Sequence, residues 1–154
     1  MKNLSMRTQN NKGFTMIELA LVLVIMAILG VTLKGVLATN EDTGRVASLK
    51  TMISQVKTGV GQWKPSNGVL TGLSMTQLQS IGAIPEKYGT GANISPFGGN
   101  VTVSASSSDP TMFVITTDNI NNAKLGQKLV RDYTEVTTVT PTFAGSTLTI
   151  TFRT

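Results

Sequence analysis

Glu18 is the residue whose setting demands most of its chemistry. It stands alone among the apolar residues 14–33, near the N-terminal end of that run, after Lys2, Arg7, Lys12 and Gly13. A carboxylate at the centre of a bilayer costs about 2.5–3.5 kcal/mol on insertion scales, so an acid placed there needs a cation, a donor or a short route to water. The other acids are Glu41, Asp42, Glu86, Asp109, Asp118, Asp132 and Glu135. Asp42, Asp109 and Asp118 stand in turn or cap contexts, and Glu41-Asp42 reads as a solvated membrane exit in preference to a calcium ligand pair. The chain has no Cys and no His. It therefore lacks a disulfide framework, a thiolate nucleophile, an imidazole base and the usual zinc ligands. No phosphate-binding glycine loop, HExxH or nucleophile elbow occurs, and the glycines of GTGANISPFGG do not run from a strand into a helix. The residues predict neither an enzyme nor a cofactor or metal site.

The elements that position Glu18 follow from hydropathy and charge. The twenty residues 14–33, rising about 1.5 Å each, span roughly 30 Å, the thickness of a bilayer core. The run is apolar all round, unlike the single stripe of a soluble helix. Lys2, Arg7 and Lys12 precede it and no acid does, which predicts a cytoplasmic N-terminus with the rest of the chain outside. The net charge of +5 comes largely from this leader; without residues 1–13, ten Lys+Arg face eight Asp+Glu, a side-chain balance of +2. The remaining cations are scattered, with no basic stripe beside aromatic partners, and read as a solvated surface. A cleaved secretory signal with Val36-Leu37-Ala38 at the cut, a permanent single-pass anchor and a processed precursor that keeps its apolar segment all fit this outline.

The residues Gly13-Phe14-Thr15-Met16-Ile17-Glu18-Leu19, followed by the apolar run, favour the last. They resemble the type IV pilin family over residues 7–38: a basic leader ending in Gly, a Phe opening the mature chain, and a Glu four residues later. The resemblance implies cleavage between Gly13 and Phe14 by a membrane prepilin peptidase, methylation of Phe14, and retention of the apolar segment. It implies a job for Glu18, the pairing of its carboxylate with the N-terminal amine of Phe14 in a neighbouring subunit. It implies as partners further copies of the chain in a helical filament, the inner membrane before assembly, a platform protein and a motor ATPase. The precursor would lie in the bacterial inner membrane, and the assembled pilus outside the cell. Adhesion, motility, DNA uptake and conjugation stay open, with DNA or a host surface as further partners. A pseudopilin of a type II secretion system shares this N-terminus, although the tail PTFAGSTLTITFRT lacks the acids of a calcium-binding loop. A membrane-anchored monomeric adhesin or binding module is the third reading.

Beyond the apolar run, Val46, Leu49, Ile53, Val56, Val60 and Trp63 recur at spacings of 3, 4, 3, 4 and 3. That is one apolar stripe on a helix, with Trp63 as a core anchor at its end. A single helix over residues 15–63 is predicted, closed by Pro65 and Asn67-Gly68. Gly30 and Gly35 interrupt it where many pilins carry a Pro, and supply either plasticity or close helix approach. Ser74 with Gln77 is a capping box opening a helix over residues 75–81. Residues 84–100 read as a loop. NVTVSA and TMFVITT read as a hairpin, residues 119–132 as a helix capped by Asp118, and EVTTVT with TLTITF as a closing hairpin joined by PTFAGS. The predicted fold is α+β, a long N-terminal helix, half in the membrane and half amphipathic, packed on a small antiparallel sheet of about four strands. Its parts are a leader (1–13), a transmembrane or filament-core segment (14–37) and a head (38–154). The stretch SPFGGNVTV, a strand and a helix resemble the type IVb or conjugative-pilus kind, which usually closes a C-terminal loop with a disulfide; a chain without Cys must hold that region otherwise.

Overall fold

The structure is a computed structural model describing residues 15–65 and 67–154, the side chains of residues 31 and 33–40 excepted. Helix α1 spans Met16–Trp63, α2 spans Met75–Ser80 and a 3-10 turn spans Glu86–Tyr88. Strands β1 (Val101–Ala105) and β2 (Met112–Thr117) precede α3 (Ala123–Thr134), and β3 (Val139–Ala144) and β4 (Thr147–Arg153) close the chain. The fold is α+β with an N-terminal helix and a four-stranded antiparallel sheet of order β1-β2-β4-β3. Two compact units divide it, Met1–Asn40 and Glu41–Thr154. Among the described residues no helix is long and apolar enough to cross a membrane.

In the second unit the apolar side chains of α1 and of the sheet close one core. Val46, Leu49, Ile53, Val56 and Val60 are buried there with Val101, Val103, Phe113, Ile115, Leu148, Ile150 and Phe152, and Trp63 packs on its margin. Each fully buried Leu, Val or Ile contributes about 1.5–3 kcal/mol relative to exposure. The strands alternate as period-2 sequences should: β2 and β4 bury every second residue, and Ile115 faces Ile150 in the register. β4 pairs with both β2 and β3 antiparallel, so β2 and β3 run parallel with β4 between them. That arrangement needs a crossover, which α3 supplies.

Ser74 caps α2 by accepting from the Gln77 amide at 3.2 Å, and the helix stops at Ser80, before Gly82 at φ +70°. α3 starts later than the expected residue 119. Asn119 has φ +64°, a left-handed backbone that cannot open a right-handed helix, and Asn122 caps instead by accepting from Leu125 N. Asp118 is therefore not the cap. Its Oδ1 accepts from Asn100 N at 2.5 Å and its Oδ2 from Asn100 Nδ2 at 3.2 Å, joining the end of β2 to the start of β1. The last hairpin also departs from expectation. Residues 135–138 are not strand, and β3 includes Pro141, tolerated because β3 is an edge strand with an irregular register between Val139 and Thr142. The turn is then the two residues Gly145-Ser146 between paired Ala144 and Thr147, with φ positive at Gly145 (+63°) only, as in a type II′ turn.

The closing hairpin is held by the pairing of β3 with β4, and polar bonds stitch the irregular segment before β1 to the sheet. Asn93 N donates to Asn100 Oδ1 at 2.9 Å, Asn119 Nδ2 donates to the Phe97 carbonyl at 2.7 Å, and Thr117 Oγ1 donates to buried Ser95 Oγ at 3.2 Å. Val101 N donates to Gly91 O at 2.8 Å, so the irregular segment after the 3-10 turn is tied to the outer edge of β1. Charge-neutral bonds of this kind contribute about 0.5–1.5 kcal/mol each.

Both tyrosines of the chain serve the core. Tyr88 is buried with its hydroxyl donating to Gln55 Oε1, and Tyr133 stands edge-on to Phe152 at 6.2 Å. Burial disfavours the phenolate, raising Tyr88 above its ordinary value and pushing Tyr133 up to about 12, with Asp132 adding to the latter. A raised value means that the stabilisation is complete below pH 10 and lost as the pH climbs from there toward 12. An ultraviolet titration of the native protein will show Tyr133 ionising only near pH 12 and Tyr88 less than half ionised at pH 10; half-ionisation of both at pH 10 would contradict the packing.

Candidate assembly site at the start of the first helix

The first unit presents its chemistry at its N-terminal turn. The Thr15 carbonyl accepts from Leu19 N at 3.1 Å, which makes Thr15 the residue that caps α1. Thr15 Oγ1 accepts from Glu18 N at 3.3 Å, and Glu18 Oε2 accepts from Thr15 N at 2.8 Å and Thr15 Oγ1 at 2.9 Å. The two side chains satisfy each other's backbone donors, the reciprocal arrangement that T-x-x-E encodes. The sequence reading singled out Glu18 and passed over Thr15, although Thr15-Met16-Ile17-Glu18 carries that signature openly. Oε2 is committed to the cap, and Oε1 has no partner among the described residues. A carboxylate at the positive end of a helix is also favoured by the backbone dipole.

After this polar turn the helix is apolar on every side. The large apolar residues from Met16 to Leu29 are all exposed, from 91% at Met16 down to 47% at Val22. Contiguous apolar surface of this extent marks a lipid or protein contact, since soluble monomers rarely show more than a few hundred Å2 in one patch. Thr32, the one described hydroxyl within the later part of the run, donates to the carbonyls of Leu29 (2.9 Å) and Ile28 (3.3 Å). It thereby needs no outside partner. Gly30 has open space where a side chain would stand. The surroundings of Gly35, and the residues Gly13 and Phe14 expected to be cut and methylated, lie outside the described residues.

A lone acid in the first turn, before an exposed apolar stretch of helix, is the pattern that the comparison with known families recognises. Residues 8–33 match the prokaryotic N-terminal methylation motif. The motif is the type IV prepilin-like signature, and it takes in Gly13, Phe14, Thr15 and Glu18 together with the apolar run. It ends before the second unit begins at Glu41. No curated protein and no solved structure matches the chain. The methylation motif thus bears on the first unit, and the head must be read from its own geometry.

In the head, Val46, Leu49, Ile53, Val56 and Val60 are buried and Trp63 is half-buried. Met52, not on the expected stripe, is buried too, because the core wraps further round the helix than one seam. The ion pairs of the head are peripheral. Glu41 pairs with Arg45 one turn away, Lys50 Nζ meets Asp132 Oδ2 at 2.6 Å, and an Arg153 guanidinium nitrogen lies 3.8 Å from Asp109 Oδ2. Exposed pairs of this kind contribute about 0–1 kcal/mol each. Among the described residues no group of three or more acidic side chains is placed to hold a metal ion.

Proposed function

We propose that this chain is a structural subunit of a type IV pilus. It is made as a precursor in the inner membrane with its N-terminus in the cytoplasm. It is cut after Gly13, methylated on Phe14, and polymerised through its apolar N-terminal helix into an extracellular filament. The observation that carries this reading is the methylation motif over residues 8–33, whose large apolar side chains from Met16 to Leu29 are exposed. A prepilin peptidase with methyltransferase activity, a platform protein and a motor ATPase are the partners that follow. In this reading the chain builds a filament and catalyses nothing.

In the assembled filament the segment 14–37 forms the core, and Glu18 meets the methylated amine of Phe14 in a neighbouring copy. That pair fixes the axial position of each incoming subunit. Buried pairs are better attested as register devices than as net stabilisers. The same motif also supports a pseudopilin, which would form a short periplasmic assembly; long surface filaments at native expression separate the two. Mass spectrometry of filaments sheared from cells will find a mature chain beginning with N-methyl-Phe14. A chain beginning at Met1, or at Thr39 after a secretory cut, would overturn the proposal.

A further inference from the structure

The sequence gives no basic stripe beside an aromatic ring, yet the fold assembles one. Along α3, Lys124, Lys128 and Arg131 fall on exposed positions at spacings of four and three residues, so they line one face. None of the three has an acidic partner among the described residues. β3 lays Phe143 against this helix at Gly126, where an added Cβ would stand 2.4 Å from the ring. The result is an open groove of about 590 Å3 lined by Lys124, Gln127, Val130, Arg131 and Phe143. Its floor is apolar and its rim cationic.

The chain carries the complement of this groove elsewhere. Most acids of the head are already engaged: Glu41 with Arg45, Asp42 with Asn122, Asp109 with Thr111 and Arg153, Asp118 with Asn100, and Asp132 with Lys50. Among the described residues Glu86 and Glu135 have no side-chain partner. Glu135 stands one turn beyond Arg131, at the C-cap of α3 on the same element as the groove's cations. Glu86 stands on a separate knuckle, where the end of α2 is tied to the 3-10 turn by Gln79 Nε2 donating to the Glu86 carbonyl at 3.2 Å. Buried Ile84 anchors that knuckle, and Ile81 projects from it 51% exposed. Lys87, next to Glu86, is drawn over the Tyr88 ring at 5.4 Å. The knuckle therefore offers an apolar knob beside an unpaired anion.

We propose that the groove between α3 and β3 docks a second copy of this chain, with Ile81 of that copy seated on Phe143 and Val130 and its Glu86 facing Lys124 and Arg131. Because groove and knuckle are different patches on one molecule, the contact is head-to-tail, the kind that repeats along an open helical array when its rotation does not close a ring. The proposal rests on the filament reading above and adds to it a second contact, in the head, made between soluble surfaces. Its charge pairs fix which faces meet more than how tightly.

The absence of cysteine makes the test direct. The double variant Ile81→Cys with Gln127→Cys, treated with a mild oxidant in intact filaments, will run as a ladder of dimers and higher multimers without reductant. Each single variant will run as monomer. Glu86→Arg and Arg131→Glu will each lower the yield of sheared filaments at least about tenfold through like-charge apposition. The combined exchange will restore the yield to within about threefold, since the two sites couple. Wild-type filaments bearing methyl-Phe14 but giving no ladder in the cysteine variant would overturn this contact and leave the filament reading standing. Single reversals with wild-type yield would do the same. Wild-type cells that make no filaments would overturn both. If Arg131→Glu leaves filaments unchanged but abolishes retention of the chain on immobilised single-stranded DNA, the groove serves a polyanion and the proposal is wrong.

Discussion

Glu18→Gln will leave the precursor in the membrane at its usual level and eliminate filaments. Gln at the third helical position still accepts from the Thr15 amide, because the reciprocal cap works with Glu or Gln. The helix therefore starts as before, with Thr15 Oγ1 on the Glu18-position amide and the Thr15 carbonyl on Leu19 N. Membrane insertion becomes easier, since a charge is removed from an apolar segment. What is lost is the anion. In the proposed filament, the methylated amine of Phe14 in the neighbouring copy would be left buried without a counter-ion. Breaking a buried pair in this way costs about 3–5 kcal/mol, which is roughly two to four orders of magnitude in each subunit-addition equilibrium. Glu18→Leu and Glu18→Ala will give the same filament defect and also lose the Glu18 half of the reciprocal cap, the acceptor of Thr15 N and Oγ1. Immunoblots of membranes and of sheared filaments measure both quantities. Normal filament yield in the Gln variant would reduce Glu18 to a capping residue.

Gly91→Ala will strongly destabilise the second unit. Gly91 has φ +88°, and an added Cβ would stand 2.1 Å from the carbonyl oxygen of Val101 and 3.0 Å from Met75 Cγ. The oxygen cannot retreat cheaply, because Val101 is paired with Thr117 in the sheet and its own amide donates to Gly91 O. The left-handed backbone contributes about 1–3 kcal/mol of strain, and the forced displacement of packed backbone about another 1–3 kcal/mol. Against a total of about 5–15 kcal/mol for a domain, that is a large share. The Tm of the full chain in detergent, followed by circular dichroism, should fall by roughly 10–20 °C. Gly72 provides the control. It has the same φ of +88° with open space around it, so Gly72→Ala suffers the backbone strain alone. Equal losses at the two positions would show that the contact with Val101 does not matter.

Sequence periodicity made the second half of α1 and the first hairpin legible, and the reason lies in burial on one face. The 3-4 spacing from Val46 to Trp63 and the alternation of NVTVSA and TMFVITT are patterns that a core imposes directly. Where two local signals competed, periodicity did not decide. Asp118 and Asn122 are both good caps, and only the positive φ of Asn119 moves the start of α3 to the latter. Pro141 looks like a strand breaker, but an edge strand can spare its amide. The polar stitching of Asn93, Asn100, Asp118 and Asn119 brings together residues from two loops, which no local pattern reveals. At the candidate site the leader, Phe14 and Glu18 were legible as a motif, whereas the part played by Thr15 needed the geometry of the first turn. The groove of α3 and β3 was invisible because Phe143 reaches Gly126 only through the tertiary fold.

A density map of the filament at side-chain resolution tests the central claim most directly. The account predicts that the carboxylate of Glu18 lies within hydrogen-bond distance of the methylated Phe14 amine of an adjacent copy, in a core that holds no water. A map in which the two groups lie apart, each hydrated or each turned back on its own chain, would contradict it.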